Sequence, residues 1–175
     1  LLKGTKMAFL GLLLAVTLLL IILSGVFEFN TLFLLAAASF CVGIALREYG
    51  MSLGFGFYIA SIILGLILAP NKLYMITYAA MGLYIVCREL AWTMLDRAKK
   101  KRNPLVIYWL LKYIIFNVIY IPIIILIPKL IYQGTINTGL TIMLIMGGQV
   151  ALFVLDKAYD YFQIRIWGKI RNHLE

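Results

Sequence analysis

Charge is scarce in this chain of 175 residues: 13% of them are Asp, Glu, Lys or Arg, and only 7 are acidic. A soluble domain needs close to twice that share of charge to cover its surface, so an ordinary soluble fold is excluded. Histidine is nearly absent, with His173 alone, and there are two cysteines, Cys41 and Cys87. That leaves no ligand set for a structural metal and no basis for a disulfide framework. Catalytic patterns are missing too: no HExxH, no GxSxG, no glycine-rich phosphate loop ahead of a lysine, and no cluster of carboxylates. No enzymatic activity, metal or cofactor is therefore expected. Nor is there a carboxylate in the middle of an apolar run, as a proton-coupled pump requires; Asp156 and Asp160 fall near the end of one.

What remains is apolar, 64% of the chain. The apolar residues come in long runs and not in the alternation of a β-barrel, so the solvent is a bilayer and the spans are helices. Six runs are long enough to cross at about 20 residues each: 7–25, 31–46, 50–69, 73–92, 105–127 and 138–159. The first is too long for the hydrophobic core of a cleaved signal. Turn chemistry separates them at Glu28-Phe29-Asn30, Arg47-Glu48-Tyr49-Gly50, Pro70-Asn71-Lys72, residues 96–104 and Gln133-Gly134-Thr135. The predicted fold is an all-α polytopic membrane protein: a six-helix transmembrane domain over 1–160, then an interfacial amphipathic helix over 161–175. In that last stretch Phe162, Ile166, Ile170 and Leu174 recur every four residues, with Arg165, Lys169 and Arg171 on other faces.

With the amino end inside, nearly all Lys and Arg collect on the cytoplasmic side, and only Lys72 and Lys129 are left outside. The positive-inside rule therefore predicts both termini in the cytoplasm. The net charge of +9 would suggest nucleic acid in a soluble protein. Here the cations flank spans, so topology and anionic lipid account for them, and nucleic acid is not an expected partner.

Helices in lipid associate by close approach, which small residues permit. Gly4, Ala8, Gly11 and Ala15 form one stripe in the first run, Ser52, Gly56 and Ala60 a second, and Gly147 with Ala151 a third. The first is the candidate for docking a partner; packing within the bundle is the plainer alternative. Asn117 and Gln149 are amides at depth, where an unpaired polar group is costly. Asn117 lies near Pro122, whose ring deprives the Val118 carbonyl of its donor. The Arg47-Glu48 and Arg88-Glu89 pairs at inner ends of runs read as interfacial anchors. On the outer side, Asn71 and Lys72 stand in "LILAPNKLYMITYA" near Glu28 and Asn30 of another turn. These residues, with Tyr78 and Asn117 below them, are the candidate small-molecule site: a few polar groups over an aromatic, apolar cavity. Each lysine alone serves equally well as a snorkelling anchor.

The size, the six runs, the start "KGTKMAFLGLLLAV" and the small residues of the first run together resemble the S components of energy-coupling factor transporters. That resemblance implies a vitamin or similar micronutrient bound on the outer side of a bacterial plasma membrane. It also implies a first helix that meets a membrane T component driven by cytoplasmic ATPases, through an Ala-x-x-x-Ala pattern that falls here on Ala8, Gly11 and Ala15. The spacing departs from that pattern, and the turn at 24–30 is shorter than the family's first loop. The stretch "PNKLYMITYAAMGLY" is also similar to uncharacterised membrane proteins of Firmicutes. From a different class, the chain resembles the six-span scaffold subunit of the bacterial cell-shape complex, which transports nothing; a subunit of a lipid-handling assembly is a third expectation.

Overall fold

The computed structural model describes residues 2–97, 104–126 and 138–171. The basic run 99–102, Lys129, Tyr132, Gln133, His173 and Leu174 lie outside them. The described residues are helical, with no strand among them. In chain order they form α1 (Leu2–Val26), a 3-10 turn (Glu28–Asn30), α2 (Thr31–Leu68), α3 (Lys72–Arg97), α4 (Pro104–Leu126) and α5 (Thr138–Tyr161). A π-helical turn (Phe162–Trp167) and α6 (Gly168–Arg171) follow. Among the described residues four stretches are long and apolar enough to cross a membrane: Gly4–Val26, Thr31–Leu68, Leu105–Ile125 and Gly139–Ile170.

The longest element is not one rod. Within α2, Gly50 has φ 84° and ψ 171°, a conformation essentially reserved for glycine. The break divides α2 into arms over 31–49 and 51–68 and folds the second back along the first. Gly54 consequently lies so close to Leu46 that a Cβ there would come within 2.6 Å of the Leu46 Cα. The turn expected over Arg47–Gly50 is thus a single residue, and Arg47, Glu48 and Tyr49 are still helical.

The chain divides into two compact units, Leu1–Ile115 and Phe116–Glu175, with the division inside α4. In the first unit α2 packs against both α1 and α3. Residues 38–46, the sequence Ala-Ser-Phe-Cys-Val-Gly-Ile-Ala-Leu, are buried in succession, so this part of the first arm is covered on every side. Its small residues suit that position, because they let neighbouring backbones approach. Along α1 the buried seam is Leu13, Thr17, Ile21 and Ser24. Met75 of α3 sits against Gly65 of α2, with Ile21 of α1 beside them, and Tyr58 lies across Gly82 of α3.

Buried hydroxyls within these helices are satisfied locally, as a low-dielectric interior requires. Thr17 donates to the Leu13 carbonyl at 2.8 Å and Ser24 to that of Ile21 at 2.7 Å. Thr31 ties the start of α2 to the end of α1 by donating to the Ser24 carbonyl at 3.0 Å.

In the second unit side chains join α5 to α4. Gln149 Nε2 donates to Asn117 Oδ1 at 2.8 Å, and Asn117 Nδ2 donates back to Gln149 Oε1 at 3.4 Å. Tyr120 donates to the Leu144 carbonyl at 2.9 Å. The expected continuous amphipathic helix at the carboxyl end is interrupted: a π turn intervenes, closed by the Gly168 N–H donating to the Gln163 carbonyl.

Candidate functional site

The corner Pro70-Asn71-Lys72 is where one helix ends and the next begins, and both ends leave backbone groups without intrahelical partners. Lys72 supplies donors to the end of α2: its ammonium hydrogen-bonds the carbonyls of Leu66, Ile67 and Ala69. A cation there also opposes the partial negative charge of the helix carboxyl end. Asn71 serves the start of α3, its Oδ1 accepting from the Leu73 N–H at 3.0 Å. The end of α1 meets this corner, since Gly25 lies against the Pro70 ring. The turn that holds Glu28 and Asn30 and the corner that holds Asn71 and Lys72 are therefore neighbours. Asn30 closes the 3-10 turn, its N–H donating to the Phe27 carbonyl at 3.1 Å, and its side chain makes no cap bond to α2.

Tyr78 is six residues further along α3, about 9 Å at the α-helical rise, and is fully buried. It belongs to a short hydroxyl chain. Ser61 Oγ lies 2.7 Å from the Tyr58 carbonyl and 2.6 Å from Tyr78 Oη. A hydroxyl has one proton to give, so Ser61 donates to the carbonyl and Tyr78 donates to Ser61. Tyr58 Oη in turn donates to the Ala79 carbonyl at 2.7 Å. This chain pins the second arm of α2 to α3. Asn117 belongs to the second unit, where Gln149 is its amide partner.

The small-residue stripe of α1 is exposed along Gly4, Ala8, Gly11 and Ala15. A Cβ added to Gly4 or Gly11 would meet nothing within 4 Å. At 3.6 residues per turn the stripe lies about half a turn away from the buried seam at Leu13, Thr17 and Ile21. Gly56 and Gly147, from the other two stripes, also face open space. Internal close approaches use different glycines, among them Gly54, Gly65, Gly82 and Gly148. Packing among the described residues of the first unit thus does not account for the α1 stripe.

A set of residues read from the sequence as membrane anchors has another role. Arg47 Nη2 donates to Glu89 Oε1 at 2.7 Å, an ion pair formed between the two Arg-Glu motifs and not within either. Glu89 is 6% exposed and Arg88 1%, which overturns the anchoring assignment for both. Arg88 Nε donates to Tyr108 Oη at 3.0 Å, and Trp92 packs edge-on to the Tyr108 ring at 5.1 Å. The Lys112 ammonium stands 4.6 Å from the Tyr108 ring centroid and 4.1 Å from that of Trp109. Charge, guanidinium and rings together link the first arm of α2 to α3 and α3 to α4. Adjacency in sequence concealed the ion pair; the visible signal was the repeated Arg-Glu at two run ends.

No protein family, curated protein or solved structure matches this chain.

Proposed function

We propose that this chain is a non-catalytic, multi-pass membrane subunit that works by assembling with other membrane proteins through α1. In this reading it crosses a bacterial plasma membrane six times with both termini in the cytoplasm. The observation that carries it is the exposed stripe Gly4, Ala8, Gly11 and Ala15, half a turn from the seam by which α1 joins its own bundle. Lipid tails gain nothing from a flat, small-residue face, whereas a second helix gains close backbone approach. An S component meeting its T component is one specific form of this proposal, with ATPases as further partners and a micronutrient held near Glu28, Asn30, Asn71 and Lys72.

The non-transporting form, a scaffold subunit, is favoured over capture by one observation. Asn71, Lys72 and Tyr78 each make hydrogen bonds inside the fold, so a ligand would have to compete with two helix caps and a buried hydroxyl chain. The test of assembly is chemical cross-linking and co-purification from native membranes with Gly11→Leu/Ala15→Leu. The variant is expected to lose a discrete membrane partner while keeping the thermal unfolding midpoint of the wild type. An unchanged partner profile would remove α1 as the docking face. Mass spectrometry of the same preparations separates the two forms: a stoichiometric small molecule supports capture, and its absence supports the scaffold.

A further inference from the structure

Apolar coincidences are cheap in a chain this rich in leucine, but polar ones are not. The one constant shift that lays Arg47-Glu48 on Arg88-Glu89 also lays Asn30 on Asn71, Ile21-Ile22-Leu23 on Ile62-Ile63-Leu64 and Ile44 on Ile85. With 13% of the chain charged, composition does not bring an adjacent Arg-Glu and a turn asparagine onto the same shift. The structure follows that shift as well. Residues 10–50 hold most of α1, the turn and the first arm of α2, and residues 51–91 hold the second arm, the corner and most of α3. Leu13, Thr17 and Ser24 of α1 fall on Gly54, Tyr58 and Gly65 of the second arm, and all of them are buried.

Asn30 and Asn71 each stand immediately before a returning helix, and the next residue does the same work in both places. Thr31 donates to the carbonyls of Ser24 at 3.0 Å and Phe27 at 3.4 Å, around the end of α1. Its counterpart Lys72 donates to those of Leu66, Ile67 and Ala69, around the end of α2. Each returning helix thus opens with a side chain that clamps the open carbonyl end of the helix before it. The two hairpins also meet at like ends, since the ion pair runs from Arg47 of one to Glu89 of the other.

We infer that residues 10–50 and 51–91 are two copies of one helical hairpin, and that Thr31 and Lys72 are the same clamp in two chemistries. Lys72 is then a positioning residue of the fold, standing where the first copy has a hydroxyl, and not a cation kept for a ligand. The copies run in the same sense, so α3 takes the path of the first arm of α2 and crosses the membrane as that arm does. Where the copies differ the cause is local: Gly54 replaces a leucine because the backbone of Leu46 leaves no room for a Cβ. None of this rests on the assembly proposed through α1.

Thermal unfolding of the full chain in detergent micelles tests the equivalence by exchanging counterparts. Thr31→Ala and Lys72→Ala should each lower the midpoint, by a few degrees for a chain of this size. Lys72→Thr should keep most of the wild-type midpoint. Lys72→Val, which has the branched shape of threonine without its hydroxyl, should fall as far as Lys72→Ala. The double exchange Thr31→Lys/Lys72→Thr should stay close to wild type, whereas Thr31→Ala/Lys72→Ala should lose the sum of the single effects. If Lys72→Thr is no better than Lys72→Val, or the double exchange falls as far as the double alanine variant, the hairpins are alike by chance. An unchanged midpoint in both alanine variants removes the clamp and overturns the proposal equally.

Discussion

At the scale of single residues the charged side chains of this protein divide by what they stabilise. Lys72 is exposed and caps the end of α2, a contribution of ~0.3–1 kcal/mol for a cation at a helix carboxyl terminus. Arg47 is 36% exposed at its side chain but faces a carboxylate that is almost wholly buried. Removing a partner from a buried charge costs more than a surface pair, because the charge left behind has lost both water and counterion. Arg47→Ala is therefore expected to lower stability by ~2 kcal/mol, seen as a reduced thermal unfolding midpoint in detergent micelles. Glu89→Gln in the Arg47→Ala background should recover part of the loss, since it discharges the orphaned carboxylate. No recovery would mean that Arg47 acts through packing alone. The lone lysine of the corner was conspicuous in the sequence, but its acceptors were not. Which carbonyls lack donors depends on where α2 stops, and Leu68 as the last helical residue is a fact of tertiary structure. The amide pair was more legible: Asn117 and Gln149 stand in apolar runs where each needs a partner, and in the structure they find each other.

At the scale of elements, helix placement was legible because run length and turn chemistry decide it. The helices α1 to α5 lie close to the apolar runs, and Gly50, at the edge of one run, is the break. What was not legible is which side of each helix faces inward. In water the buried side of a helix is marked by polarity; in lipid both sides are apolar, so the seam Leu13, Thr17 and Ile21 of α1 is hardly distinguishable from its exposed Leu12, Val16 and Leu19. The π turn after Tyr161 likewise has no composition of its own. Gly50 gives the sharpest test at this scale. Its φ of 84° with ψ of 171° lies where a Cβ is strained, although the space around it is open and a Cβ there would meet no neighbour. Gly50→Ala should cost ~1–3 kcal/mol from backbone strain alone. Gly54→Ala, where the backbone of Leu46 blocks the Cβ, should be destabilising for a steric reason. Chemical denaturation in mixed micelles compares the two. A neutral Gly50→Ala would show that α2 can take another path at this position.

For the whole molecule the central issue is the number of crossings, because it fixes where the two ends lie. A continuous helix of 38 residues, the length of α2, would measure about 57 Å, well beyond the ~30 Å hydrocarbon core. The fold-back at Gly50 turns that excess into two arms, each of a length that spans. Hydropathy leaves α3 out of the apolar candidates, as it counts Arg88 and Glu89 as though they faced lipid. Arg88 instead donates to Tyr108, and Glu89 accepts from Arg47, so the charges of α3 are met by protein, the condition under which ionisable groups enter a membrane. With α3 included the helical stretches are α1, the two arms of α2, α3, α4 and α5. In the proposed six-span reading that even count would return the chain to its starting side, which is what the lysine and arginine asymmetry predicts. The expected outcome is specific. In a background with Cys41→Ala and Cys87→Ala, a cysteine replacing the exposed Phe29 should react with a membrane-impermeant maleimide on intact cells. A cysteine at Lys100 should react only after permeabilisation. If α3 does not cross, both positions label from the same side, and the carboxyl end would face away from the amino end.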